Sequence, residues 1–220
     1  MGELLMFQNR NGVFLIVVLV LCSCAFSDDK RFVRTELGDP IAERRQEALK
    51  SLMTEYEVVT SNIVVAFETA RKHHKDDASY SSPLHIAISA INSWKILPAE
   101  NSLLELVDYQ LDANTFPVGV CMSEAYVFPA ADALVNLRVD CDKVIRSISA
   151  TSSKRRQFVL AWLLIQRVGD CVTAQTMLSS AGKKFHGVSE RKNIQATIKI
   201  LESSSDWLGD AMEMANQDKK

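Results

Sequence analysis

Between residues 49 and 70 the apolar positions Leu49, Leu52, Tyr56, Val59, Ile63, Ala66 and Ala70 recur at alternating spacings of three and four. On a helix this spacing places all of them on one face. On a strand, with its period of two, it would scatter them over both faces. Asp39 and Pro40 precede the run as a capping carboxylate and a proline suited to the first helical turn, and Glu43 follows near the positive end of the helix dipole. The pattern predicts a helix from Pro40 to His73 with a heptad seam long enough for a coiled-coil partner.

The remaining prolines, at 83, 98, 117 and 129, fall at the edges of periodic segments and never inside one. Ser82-Pro83 opens a short helix whose apolar face is Leu84, Ala87, Ile88, Ile91 and Trp94. Pro98 opens another, carrying Leu103, Leu104, Val107 and Leu111. From Asp112 to Phe128 no period is visible, which predicts an irregular loop. Pro129 begins a helix to about residue 150 with Leu134, Leu137, Cys141, Val144 and Ile148 on its seam. After the Thr151–Ser153 turn, a helix is expected over 154–181. Its start, Phe158 to Ile165, is apolar on every face and so marks a central helix. A last helix, capped by Ser189, carries Ile194, Ile198, Leu201, Leu208 and Met212. The expected class is therefore all-α: an up-down antiparallel bundle of four long helices, with a short two-helix insert and the irregular loop.

Ahead of this lies the run Val13 to Cys22, behind Arg10 and followed by Ala25 and Ser27 at the small-residue positions of a cleavage site. It reads as a secretory signal peptide over 1–27. The uncharged stretch 12–27 is shorter than the roughly 20 residues a spanning helix wants, so a retained type II anchor is the alternative and a stable membrane anchor is not expected after cleavage. The expected organisation is a disordered segment over 28–39, one helical domain over 40–216 and a disordered tail over 217–220. The net charge of −2, with acids and bases intermixed, gives no basic stripe for nucleic acid.

Of five cysteines, Cys22 and Cys24 leave with the signal, and Cys121, Cys141 and Cys171 meet an oxidising compartment. In an antiparallel hairpin turning near residue 152, Cys141 and Cys171 are offset by roughly 13 Å along the axis. A disulfide needs Cα atoms about 4.4–6.8 Å apart. Cys121–Cys171 is the expected bridge, with Cys121–Cys141 as runner-up and Cys141 read as a small apolar seam residue.

Chemical motifs are sparse. His73-His74-Lys75-Asp76-Asp77 is the densest group of potential ligands, but adjacent histidines on a helix point about 100° apart, so it reads as a solvated helix end and not a metal site. No Glu is followed by His three residues on, and there is no Gly-x-Ser-x-Gly, phosphate loop or His-Glu-x-x-His. No catalytic residue, metal ligand or cofactor is assigned. Lys154-Arg155-Arg156 reads as a solvated helix face. The aromatic residues Trp94, Tyr109, Phe116, Tyr126, Phe128, Phe158 and Trp162, with Met122, either pack as core or line a pocket between the 83–128 insert and helix 154–181.

The expected function is a secreted, non-enzymatic binding protein holding an apolar small molecule or lipid in that pocket, with the irregular loop as its lid. The alternative is a protein–protein interaction module, a homodimer included, joined through a heptad seam or the odd cysteine. An enzyme without a legible motif is the third reading.

Overall fold

A computed structural model of the protein describes residues 42–116 and 127–204, apart from the side chains of 42–49, 51, 52 and 113. The expected signal peptide, the 28–39 segment, the 217–220 tail, Cys121, Met122 and Tyr126 lie outside the described residues, as do the seam side chains Leu49 and Leu52. By its contacts the chain divides into Met1–Thr69 and Ala70–Lys220, and the expected 40–216 domain runs across that division.

Among the described residues the protein is all-α. Its helices are α1 (Ala42–His74), α2 (Pro83–Trp94), α3 (Glu100–Glu105), α4 (Pro129–Asn136), α5 (Cys141–Ala150), α6 (Lys154–Val168), α7 (Cys171–Gly182) and α8 (Val188–Ser203). Short 3-10 turns occur at Leu97–Ala99 and Ala113–Thr115.

In Met1–Thr69 the described part is one helix. Ile63 of the expected seam is buried and Val59 and Ala66 are partly so, but Tyr56 is 46% exposed. Phe67, which lies beside the strict heptad positions, is fully buried.

In Ala70–Lys220 the expected helices 129–150 and 154–181 are each divided in two. Arg138 adopts a left-handed conformation (φ 58°) that closes α4, with the Val139 amide reaching back to Leu134 O at 3.1 Å. Asp140 then caps α5 through the Asp142 amide (3.0 Å), and Arg167 Nε donates to the Val139 carbonyl left open at the break (3.0 Å). The second break is set by Gly169 at φ 96°, a conformation that costs an L side chain steric strain and glycine almost none. Asp170 starts α7 by accepting from the Thr173 amide at 2.7 Å. The apolar face survives the first break, since Leu134, Leu137, Val144 and Ile148 are all buried while Cys141 is half-exposed. The last helix starts at Val188, not after Ser189, because Glu190 folds back to accept from the Gly187 amide at 3.1 Å.

α6 is central, as its uniformly apolar start predicts. It packs against α4, α5, α7 and α8, with every residue from Phe158 to Leu164 buried. The buried Gln157 of α6 donates Nε2 to Thr151 O at 2.8 Å, and Asn193 of α8 donates Nδ2 to Ser149 O at 2.8 Å. Buried amides at these positions are satisfied and therefore fix the register of α8 against α5 without an open desolvation cost.

Between α2 and α4, Asp132 Oδ2 accepts from Asn92 Nδ2 at 2.9 Å and from Asn136 Nδ2 at 3.3 Å. Burial pushes its carboxyl up from the usual 3.8, with the Asn92 hydrogen bond working against the shift. A raised carboxyl favours the protonated form in the fold, so its contribution is complete below pH 3.8 and is lost as pH rises through the raised value. Asp132→Asn keeps an acceptor for both amides and removes the charge. The variant is expected to be at least as stable as the wild type at pH 7. Urea melts at pH 4 and pH 7 should show a smaller loss of stability for the variant over that interval.

Candidate functional site

Ala70–Lys220 contains an open cleft of about 550 Å³, lined by Lys75, Ala78, Glu105, Leu106, Asp108, Tyr109, Gln110 and Arg155. Its walls come from three stretches: the turn after α1, the segment leaving α3 and the first turn of α6. The turn is tied to the segment by short polar contacts. Tyr109 OH donates to Asp77 O at 2.6 Å, the Asp112 amide donates to Ala78 O at 2.7 Å, and the Tyr80 amide donates to Thr115 Oγ1 at 2.8 Å. Tyr109 OH also lies 3.0 Å from the buried hydroxyl of Ser82, which caps α2, and burial raises the phenol above its ordinary 10.0.

The third wall is fixed by two arginines. Arg156 Nη1 donates to Glu105 O and Asp108 Oδ1, both at 2.9 Å, and its Nη2 donates to Leu104 O. Arg155 Nη2 donates to Asp108 O at 3.0 Å, and its guanidinium lies 6.0 Å from the centre of the Phe128 ring. The last carbonyls of a helix carry negative charge, which Arg156 meets at the end of α3, while Arg155 holds the segment just beyond it. Arg155 and Arg156 are thus not the solvated face that the charge run suggests. They form a bracket between α6 and α3.

The carboxylates of the cleft are also taken up. Glu105 pairs with Arg71, and Asp108 pairs with Arg156 at 2.9 Å. Lys75 is exposed and has no ion-pair partner among the described residues. Gln110 Oε1 is buried without a hydrogen-bond donor.

The expected aromatic site is only partly brought together. Tyr109 is on the cleft wall, and Phe128 touches the site through Arg155. Phe158 and Trp162 are core residues of α6, Phe116 packs on Tyr80 with ring centres 5.1 Å apart, and Trp94 is 46% exposed at the end of α2. Met122 and Tyr126 lie outside the described residues. The cleft that does form mixes apolar surface with four charged side chains, those of Lys75, Glu105, Asp108 and Arg155. Sequence spacing could not show this, because Lys75, Gln110 and Arg155 converge from turns and a helix start that carry no period.

Cys171 is free, and so is Cys141. No Cys121–Cys171 bridge is seen: the Cys171 thiol, in the first turn of α7, donates instead to Leu201 O at 3.3 Å and receives Gln175 Nε2 at 3.7 Å. Burial raises both thiols above their ordinary value, which keeps them protonated and poorly nucleophilic at neutral pH.

A pairing missed by motif reading is Ser89 with His85, four residues apart on α2. His85 Nδ1 faces Tyr80 O, and Ser89 Oγ lies 3.3 Å from Nε2. With Nδ1 donating to the carbonyl, Nε2 is left to accept the hydroxyl proton, as in a nucleophile–base pair. Ser89 lies mid-helix, where the backbone amides around it are bonded within the helix and do not converge on a developing oxyanion. The pair acts as a clamp holding the Tyr80 turn to α2. Among the described residues there is no cluster of three metal-ligating side chains, and no helix is long and apolar enough to cross a membrane. The His73–Asp77 cluster forms the end of α1, where Arg71, Lys72, His73 and His74 complement the negative end of the helix dipole.

No protein-family model, curated protein or solved structure matches the chain.

Proposed function

We propose that the protein is a secreted, non-enzymatic binding protein that holds a small molecule in the cleft between the residues after α1, the segment after α3 and the start of α6. The observation that carries this reading is the cleft itself. About 550 Å³ is within the range of small-molecule sites, and it opens where the insert meets the helix beginning at Lys154. Four charged side chains on its mixed walls favour a ligand that carries polar groups over the wholly apolar molecule that the aromatic composition suggests. The export signal over 1–27, with cleavage after Ser27, belongs to the same reading, as does an up-down arrangement of the helices around α6.

Native mass spectrometry of the secreted mature protein, without reductant, tests it. The expected spectrum shows a monomer beginning at Asp28 with added mass, and Ala78→Trp, which fills the cleft, loses that mass. A bare wild-type monomer overturns the reading.

A second reading, docking onto another protein, is favoured by Ile86 and Trp94, which lie along one side of α2 at 44% and 46% exposure, with Leu97 just beyond at 60%. A bare dimer that Trp94→Lys splits into folded monomers would favour this reading instead.

A further inference from the structure

We infer that the cleft takes a small organic anion, a carboxylate whose charge sits between Lys75 and Arg155; this rests on the binding reading above. Four cations, Lys75, Arg71, Arg155 and Arg156, stand around it against the two carboxylates Glu105 and Asp108. Each carboxylate is already held by an arginine, so neither is left to repel an incoming anion at full strength. Asp76 and Asp77 follow Lys75 in the chain but do not line the cleft, and Asp77 Oδ1 accepts from the Ser79 amide at 3.0 Å. Arg155 is held in place by Asp108 O and by the Phe128 ring, so its charge stands at the wall before a ligand arrives. Lys75, on a flexible stem, supplies the second positive charge from the turn after α1. A carboxylate entering this corner replaces water around charges that the fold has fixed, which is the arrangement that favours an anion over a neutral molecule of the same size.

The test is an NMR titration of the mature full chain with succinate at constant ionic strength, with butane-1,4-diol as the neutral control. Succinate is expected to give saturable shifts at the amides of Ala78, Tyr109 and Gln110, and the diol none. Lys75→Glu should raise the succinate Kd at least tenfold while Lys75→Arg leaves it within about twofold, and thermal melts of both should match the wild type because Lys75 is exposed. Equal binding of the diol, or a succinate Kd unchanged in Lys75→Glu, overturns the inference. If succinate fails while native mass spectrometry still shows a molecule that Ala78→Trp displaces, the cleft binds something other than an anion and only this inference falls. If neither succinate nor a retained molecule is found, both fall together.

Discussion

Trp162→Ala is expected to destabilise the protein by about 3–5 kcal/mol, the range for deleting a large aromatic from a packed core. The indole sits on α6, with Leu160, Ala161, Leu163 and Leu164 fully buried around it and α4, α5, α7 and α8 packed against the helix. The neighbouring side chains are held by their own helices and cannot collapse into the space, so the variant loses both the transfer energy and the contacts across the void. Urea unfolding followed by circular dichroism measures it. The consequence for function is indirect: Trp162 does not line the cleft, so any loss of ligand in this variant should track the unfolded fraction. A fully folded variant that has lost its ligand would show that Trp162 touches the ligand after all.

Arg156→Ala should cost about 2–3 kcal/mol, since hydrogen bonds to a charged group contribute about 1.5–3 kcal/mol and do not add fully when they share one guanidinium. Glu105 O and Asp108 Oδ1 lose this donor at once, and Leu104 O keeps the long bond from the Val107 amide at 3.4 Å. The Glu105 carbonyl then depends on water, and the segment from Leu106 to Gln110 is left with the link to α6 from Arg155 to Asp108 O. For a chain of this length such a loss lowers Tm by roughly 5–10 °C. Arg156→Lys should recover less than half, because one ammonium lacks the planar fork that reaches two carbonyls and a carboxylate together. Differential scanning calorimetry of the three proteins decides it, and equal melting of lysine and arginine forms would mean that charge alone, without the fork, supports the bracket. As this bracket forms one wall of the cleft, Arg156→Ala should also loosen the cleft, visible as faster amide exchange at Tyr109 and Gln110.

The helical class and the buried face of several helices are legible in the sequence alone. Leu84, Ala87, Ile88 and Ile91 on α2, Leu103, Leu104, Val107 and Leu111 around α3, and the buried run Phe158 to Leu164 of α6 all lie where helical spacing puts them. Burial of apolar side chains is the dominant favourable term, and its period is written along the chain. The same period misled at two places. Leu134 to Ile148 keeps one face through the break at Arg138, and the apolar run from Phe158 masks the Gly169-Asp170 signal, so periodicity alone shows neither break. The spacing of Trp94 fits a core face, yet it is the last residue of α2 and is 46% exposed.

What the tertiary structure alone decided is the polar architecture. Lys75, Glu105, Gln110 and Arg155 share a cleft, and Arg156 closes the end of α3 from 51 residues further along the chain. Such contacts depend on a few charged and amide groups meeting at set distances, and a charge that brackets a helix end has the same local sequence as one dissolved in water. Hydrophobic burial repeats along a chain and so can be read from it. Hydrogen bonds between turns occur once, and only the folded chain shows which groups they join.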